Sequence, residues 1–115
     1  MIKIIKVSTV IGGAICVATE DGQKLFDVIS QSIEDDVQLE ISFEGIELII
    51  SAFLNTAIGQ LYGKFPKDKI DKMLSYTHLE DDDRNLLRLV VANALRYFSN
   101  QDFYDNATWE VLDYA

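Results

Sequence analysis

Cysteine, histidine and proline each occur once, at Cys16, His78 and Pro66. A single cysteine closes no internal disulfide, which favours a reducing compartment and sets the expectation of a cytoplasmic protein. Zinc sites gather several His, Cys or carboxylate ligands, and the lone His and lone Cys lie about sixty positions apart, so neither metal nor cofactor is expected. Positive charge is scarce: 10 Lys and Arg stand against 19 Asp and Glu, for a net charge of −9. Such a chain repels nucleic acid and anionic membrane. Long apolar runs are missing too. The least charged stretch, residues 45–63, is broken by Glu47, Asn55 and Gln60, far from the 18 or so apolar residues that span a bilayer. Lys6 splits the N-terminal apolar run and no small-residue cleavage site closes it, so mature sequence is expected from Met1. The glycine pair Gly12-Gly13 is not followed by the rest of a phosphate-binding fingerprint. With no repeat and no Pro/Gly/Ser-rich linker, residues 1–115 read as one domain, of which 100–115 form an aromatic, acidic C-terminal extension.

Hydrophobic residues make up 49% of the chain and aromatics 10%, a globular composition. Residues 2–7 are β-branched and half alternating, which predicts a first strand, with residues 8–13 a turn or loop around Gly12-Gly13. Residues 14–19 predict a second strand, and Glu20-Asp21-Gly22 a turn. Leu25, Phe26, Ile29 and Ile33 then recur at helical spacing, predicting an amphipathic helix over 23–34 with Asp21 as its N-cap. Strict alternation of Val37, Leu39, Ile41 and Phe43 with polar residues is the strongest strand signal. Glu44-Gly45 breaks it, an apolar patch over 46–50 follows, and Ser51 stands as N-cap to a helix over 52–64. Beyond Pro66 come a short charged turn or helix over 67–73, an edge strand over 74–78, and a helix of about twenty residues behind Glu80-Asp81-Asp82-Asp83.

The acidic run at 80–83 lacks the alternating ligands and central glycine of a calcium loop, and acids at a helix start suit its dipole. Cys16 has no neighbouring base, and a small residue in a strand reads as core filler. Carboxylate pairs abound among 19 acids and none carries an apolar pocket signature, so no catalytic set assembles and the chain is expected not to be an enzyme. One constellation stands out: strand, Glu44-Gly45 turn, apolar patch, then Ser51 at a helix start. A phosphoryl group would be tolerated there by exposed amides and the helix dipole; the plainer reading is an N-cap.

Residues 37–65, VQLEISFEGIELIISAFLNTAIGQLYGKF, resemble the STAS-like family of small bacterial and phage-associated proteins. The shared pattern is a strand ending in an acidic or polar residue, Phe, a Gly-containing turn, then Ser-x-Phe-Leu-Asn and a helix. The likeness continues through Ile70, Leu79, Asp82 and the helix over 86–97, about the last two-thirds of the chain. STAS domains proper are anti-sigma-factor antagonists and cytoplasmic modules of anion transporters. The resemblance implies an α/β (α+β) fold with a mixed sheet of about four strands and helices packed mainly on one face. In the antagonists an Asp-Ser-Ser-Gly element opens the helix after the central strand, and a partner kinase phosphorylates its second serine. On this chain the element falls on Ile50, Ser51, Ala52 and Phe53, so only the first serine is kept and the phosphorylated one is replaced by Ala52.

The expectation is therefore a non-catalytic interaction or regulatory module that binds another protein, a kinase or regulator, through Ser51, Phe53, Asn55 and Gln60, with Ser51 the phosphorylation candidate. The alternative is an acidic nucleic-acid mimic that inhibits a host or defence enzyme, which would need carboxylates in a continuous stripe. The extension aromatics Phe103, Tyr104, Trp109 and Tyr114 offer a route to a homodimer.

Overall fold

A computed structural model describes residues 1–99. The element order is β1 (Ile2–Lys6), α1 (Val7–Ile11), β2 (Ile15–Cys16), α2 (Thr19–Glu34), β3 (Gln38–Ser42), β4 (Leu48–Ile49), α3 (Ser51–Ala57), a 3₁₀ turn (Gly59–Gly63), α4 (Lys67–Met73), β5 (Leu74–Thr77) and α5 (Asp81–Ser99). The α/β class expected from the sequence is the one observed. Its sheets differ from the expected single mixed sheet of about four strands: β1, β3 and β5 form a three-stranded parallel sheet in the order β1-β3-β5, and β2 and β4 a separate two-stranded parallel ribbon. Parallel strands need crossovers, and helices α2 and α4 supply them on the way to β3 and β5.

Register fixes which side chains share a face. Ile5 pairs with Ile41, Ile41 with Tyr76, and Leu39 with Leu74, so these point together, and Ile5, Leu39 and Ile41 are buried. Helices α2 and α4 contact β3 there. On the opposite face Ile2, Ile4, Gln38 and Ser75 are exposed, and the Thr77 hydroxyl donates to Glu40 Oε2 at 3.0 Å. Helices thus cover mainly one face, as the resemblance implied. The buried side chains form one cluster centred on Leu25, Ile29 and Ile33 of α2, Phe53 and Leu54 of α3, and the inward face of β3.

Four boundaries depart from the sequence reading. The strand expected over 14–19 is only Ile15–Cys16, because α2 already takes in Thr19. Residues 8–13, expected as a loop, begin within α1, because Val7 is fully buried and Val10 and Ile11 pack against the core; burial overrides the weak helix propensity of a β-branched run. Helix α2 starts at Thr19 rather than 23, so Asp21 lies in its first turn instead of capping it, and no side chain caps the N-terminus. The helix expected over 52–64 ends at Ala57 and continues as a 3₁₀ turn, with Gly59 and Gly63 at its two ends. Edge strand β5 and helix α5 stand where expected, with Asp81, Asp82 and Asp83 in the first turn of α5. The extension aromatics lie outside the described residues. Among the described residues no helix is long and apolar enough to cross a membrane.

Candidate partner-binding site

Strands β2 and β4 pair in parallel, Ile15 opposite Leu48 and Cys16 opposite Ile49. Backbone bonds extend the pairing at both ends: Glu47 N–H donates to the Ala14 carbonyl at 2.8 Å and Ile50 N–H to the Cys16 carbonyl at 3.1 Å. Alternation sends Cys16 and Ile49 inward, both buried, and leaves Ile15 and Leu48 outward at 45% and 48% exposure. Val17 and Ile50, two residues further on, are each 38% exposed. Four aliphatic side chains are therefore stranded in water on the outer side of a two-stranded ribbon. Ser51 follows directly, half-buried, as the first residue of α3.

At the carboxyl ends of β3 and β5, the ends at which open parallel sheets place their ligands, the same region opens into a cavity of about 350 Å³. Ile46 and Ile49 line it beside Glu44, His78, Glu80 and Asp83. The turn at its rim closes through Ile46 N–H on the Phe43 carbonyl at 3.0 Å, with Gly45 at φ 79°, a conformation that costs glycine least. His78 also takes a left-handed backbone, φ 57°, between β5 and α5.

The four residues expected to contact a partner do not form one surface. Phe53 is fully buried and Asn55 is 5% exposed, so both leave the candidate surface: α3 turns them into the core. Gln60 is half-buried on the 3₁₀ turn, where its Nε2 donates to the Thr56 carbonyl at 2.9 Å and to Gln23 Oε1 of α2 at 3.4 Å. It sits at the far end of the segment that Ser51 opens. Ser51 itself is not the N-cap. That position is Ile50, extended at φ −115° and ψ 161°, with no side-chain cap. Because α3 has seven residues rather than the thirteen or so expected, the helix-dipole argument for a phosphoryl group at Ser51 loses the length it relied on.

Cys16, under the ribbon, has its thiol pushed up from 9.0 to about 11, first by burial and then by Asp21 and Asp83. Burial likewise pushes Tyr62 up to about 12, aided by Asp71, and raises Tyr76 further. Each group holds its proton more tightly when folded, so each stabilises the fold below its unfolded pKa and loses that contribution as pH rises through the folded value. Melting temperature is expected to hold up to pH 9 and fall between 9 and 11, where Cys16 ionises in the unfolded chain but not in the folded one, with the tyrosines extending the loss upward. A thermal-melt series against pH checks this, and Cys16→Ala should remove the earliest part of the decline.

A family model described as a STAS-like domain of unknown function (DUF4325) matches residues 21–84, more than half of the chain. The chain belongs to the STAS-like domain family. The match runs from the first turn of α2 to the first turn of α5, and so takes in β4 and Ser51 but not β2. In this STAS-like domain the exposed ribbon is thus half inside and half outside the matched region. No curated protein and no solved structure matches the chain. Sequence reasoning missed Ile15, Val17, Leu48 and Ile50 as surface residues. The signal was the apolar patch directly before Ser51, but its outward face became legible only once β2 paired with it.

Proposed function

We propose that this STAS-like domain is a non-catalytic regulatory module that binds another protein through the aliphatic face of β2 and β4 beside Ser51. The observation that carries the reading is the set Ile15, Val17, Leu48 and Ile50, exposed on one side of the ribbon. A contiguous exposed apolar patch is costly in water and marks an interaction surface. Its neighbours Glu44 and Glu47 supply the polar surroundings of such a patch. Phosphorylation of Ser51 would add a charge of about −1.5 to −2 at the edge of that face, which a docked apolar partner would have to desolvate. A kinase acting on Ser51 would therefore release the partner. The nucleic-acid-mimic alternative asks for unpaired carboxylates in a stripe, whereas Asp21, Glu34, Asp36, Glu44 and Asp71 sit in ion pairs with lysines.

The test is affinity capture from lysate of the source organism with quantitative mass spectrometry. Proteins held by the wild-type chain should be depleted about tenfold or more by Leu48→Glu and by Ser51→Asp, and kept by Leu89→Glu, which alters an equally exposed leucine on α5. Equal retention by all three variants would refute the assignment of the face.

A further inference from the structure

Between the 3₁₀ turn, α4, β5 and α5 lies a second cavity, about 370 Å³, which shares no residue with the ribbon face. Leu87, Val91 and Leu95, one turn apart along α5, form its apolar wall. The polar lining is Tyr62, Tyr76, Arg84, Arg88 and Asp71. Tyr76 is the anomaly: its hydroxyl is buried and has no hydrogen-bond partner among the described residues. Buried hydroxyls are nearly always paired, so an orphan on a residue that lines the cavity points to something that occupies the cavity.

The chemistry of that occupant follows from what the lining can offer. Both phenols are protonated, and burial pushes their ionisation further up, so Tyr62 and Tyr76 can both donate and Tyr76 lacks an acceptor among the described residues. Arg84 makes no side-chain hydrogen bond or ion pair with the described residues, and Arg88 spends one donor on Asn85 Oδ1 at 2.8 Å. The one carboxylate, Asp71, is already engaged by Lys67 Nζ at 2.5 Å. Donors are in excess: Lys67 already meets the Asp71 charge, so both guanidiniums are left to face an anion. Inorganic phosphate would answer the charge but leave Leu87, Val91 and Leu95 in water. The aliphatic wall calls for an apolar body behind the charged group.

We propose that this cavity binds a small monocarboxylate with an apolar body, its carboxylate accepting from the Tyr62 and Tyr76 hydroxyls and Arg84, its body lying along Leu87, Val91 and Leu95. The inference goes beyond the protein-binding reading and does not depend on it.

The experiment uses the full chain with hexanoate and benzoate as probes, read by saturation-transfer NMR and by thermal shift, with hexanamide and inorganic phosphate alongside. Hexanoate or benzoate should receive saturation and raise the melting temperature at about 10 mM, while hexanamide and phosphate do neither. Tyr76→Phe removes only the orphaned oxygen, so the ligand-free variant should melt no lower than wild type yet bind the carboxylate about tenfold more weakly. Arg84→Gln should weaken binding similarly and Arg84→Lys should restore part of it. Absence of saturation transfer to both carboxylates, equal response to hexanamide, or undiminished binding by Tyr76→Phe would overturn the proposal.

Discussion

Phe53→Ala is expected to lower unfolding stability by about 3–5 kcal/mol, whereas Ser51→Ala, two residues upstream, should change it by less than about 1 kcal/mol. Phe53 is fully buried in the cluster that joins α2, α3 and β3, and truncating it opens a cavity among Leu25, Ile29 and their neighbours that a packed core refills only partly. Domains of this kind are stable by about 5–15 kcal/mol, so the variant stands near the edge of folding. Ser51 is half-buried and caps nothing, so its hydroxyl carries little of the fold. Urea denaturation of the two variants checks the contrast. It also separates a core position from a surface position within the four-residue element that the family resemblance placed at the helix start.

Gly22→Val should cost about 3 kcal/mol. Gly22 lies on the face of α2 that meets α3, where a Cβ would come within 2.9 Å of the Phe53 carbonyl oxygen and 3.1 Å of Thr56 Cβ. A backbone oxygen cannot swing aside as a flexible side chain can, so the two helices must part, and overpacking of this kind costs about 1–3 kcal/mol before the extra methyl groups of valine are counted. Alanine at the same position gains about 1 kcal/mol of helix propensity against the clash, so Gly22→Ala should be milder. Gly13, around which nothing lies within 4 Å, is the control: Gly13→Ala should be neutral within about 0.5 kcal/mol. Thermal denaturation of the three variants measures the ordering.

What was legible in the sequence was whatever repeats over several residues. Alternation from Val37 to Phe43 gave β3 its buried face, the spacing of Leu25, Ile29 and Ile33 gave α2, and the acids before Leu86 marked the start of α5. The family was legible over residues 37–65, inside the span the family model matches. What was hidden depended on partners distant in the chain. Helix α1 forms from a run whose propensity favours strand because the core takes Val7. The stripe Phe53, Leu54, Ala57, Ile58, Leu61 fits a long α-helix, yet Leu61 packs from a 3₁₀ turn, whose period of three serves the same burial. The candidate site was half visible. Ser51 and the patch before it were marked, but Phe53 and Asn55 belong to the core, and the outward face of Leu48 and Ile50 depends on a two-residue pairing with β2 that no local pattern announces.

We propose that a partner docks on the β2 and β4 face, and site-specific photo-crosslinking in the source organism reads that contact. A benzophenone amino acid placed at position 48 should yield a discrete higher-mass adduct, lost when Ser51→Asp is combined with it, while the same probe at position 89, on an equally exposed leucine of α5, should yield none. Equal adducts from both positions, or none from position 48 with the probe incorporated and the chain folded, would contradict the claim.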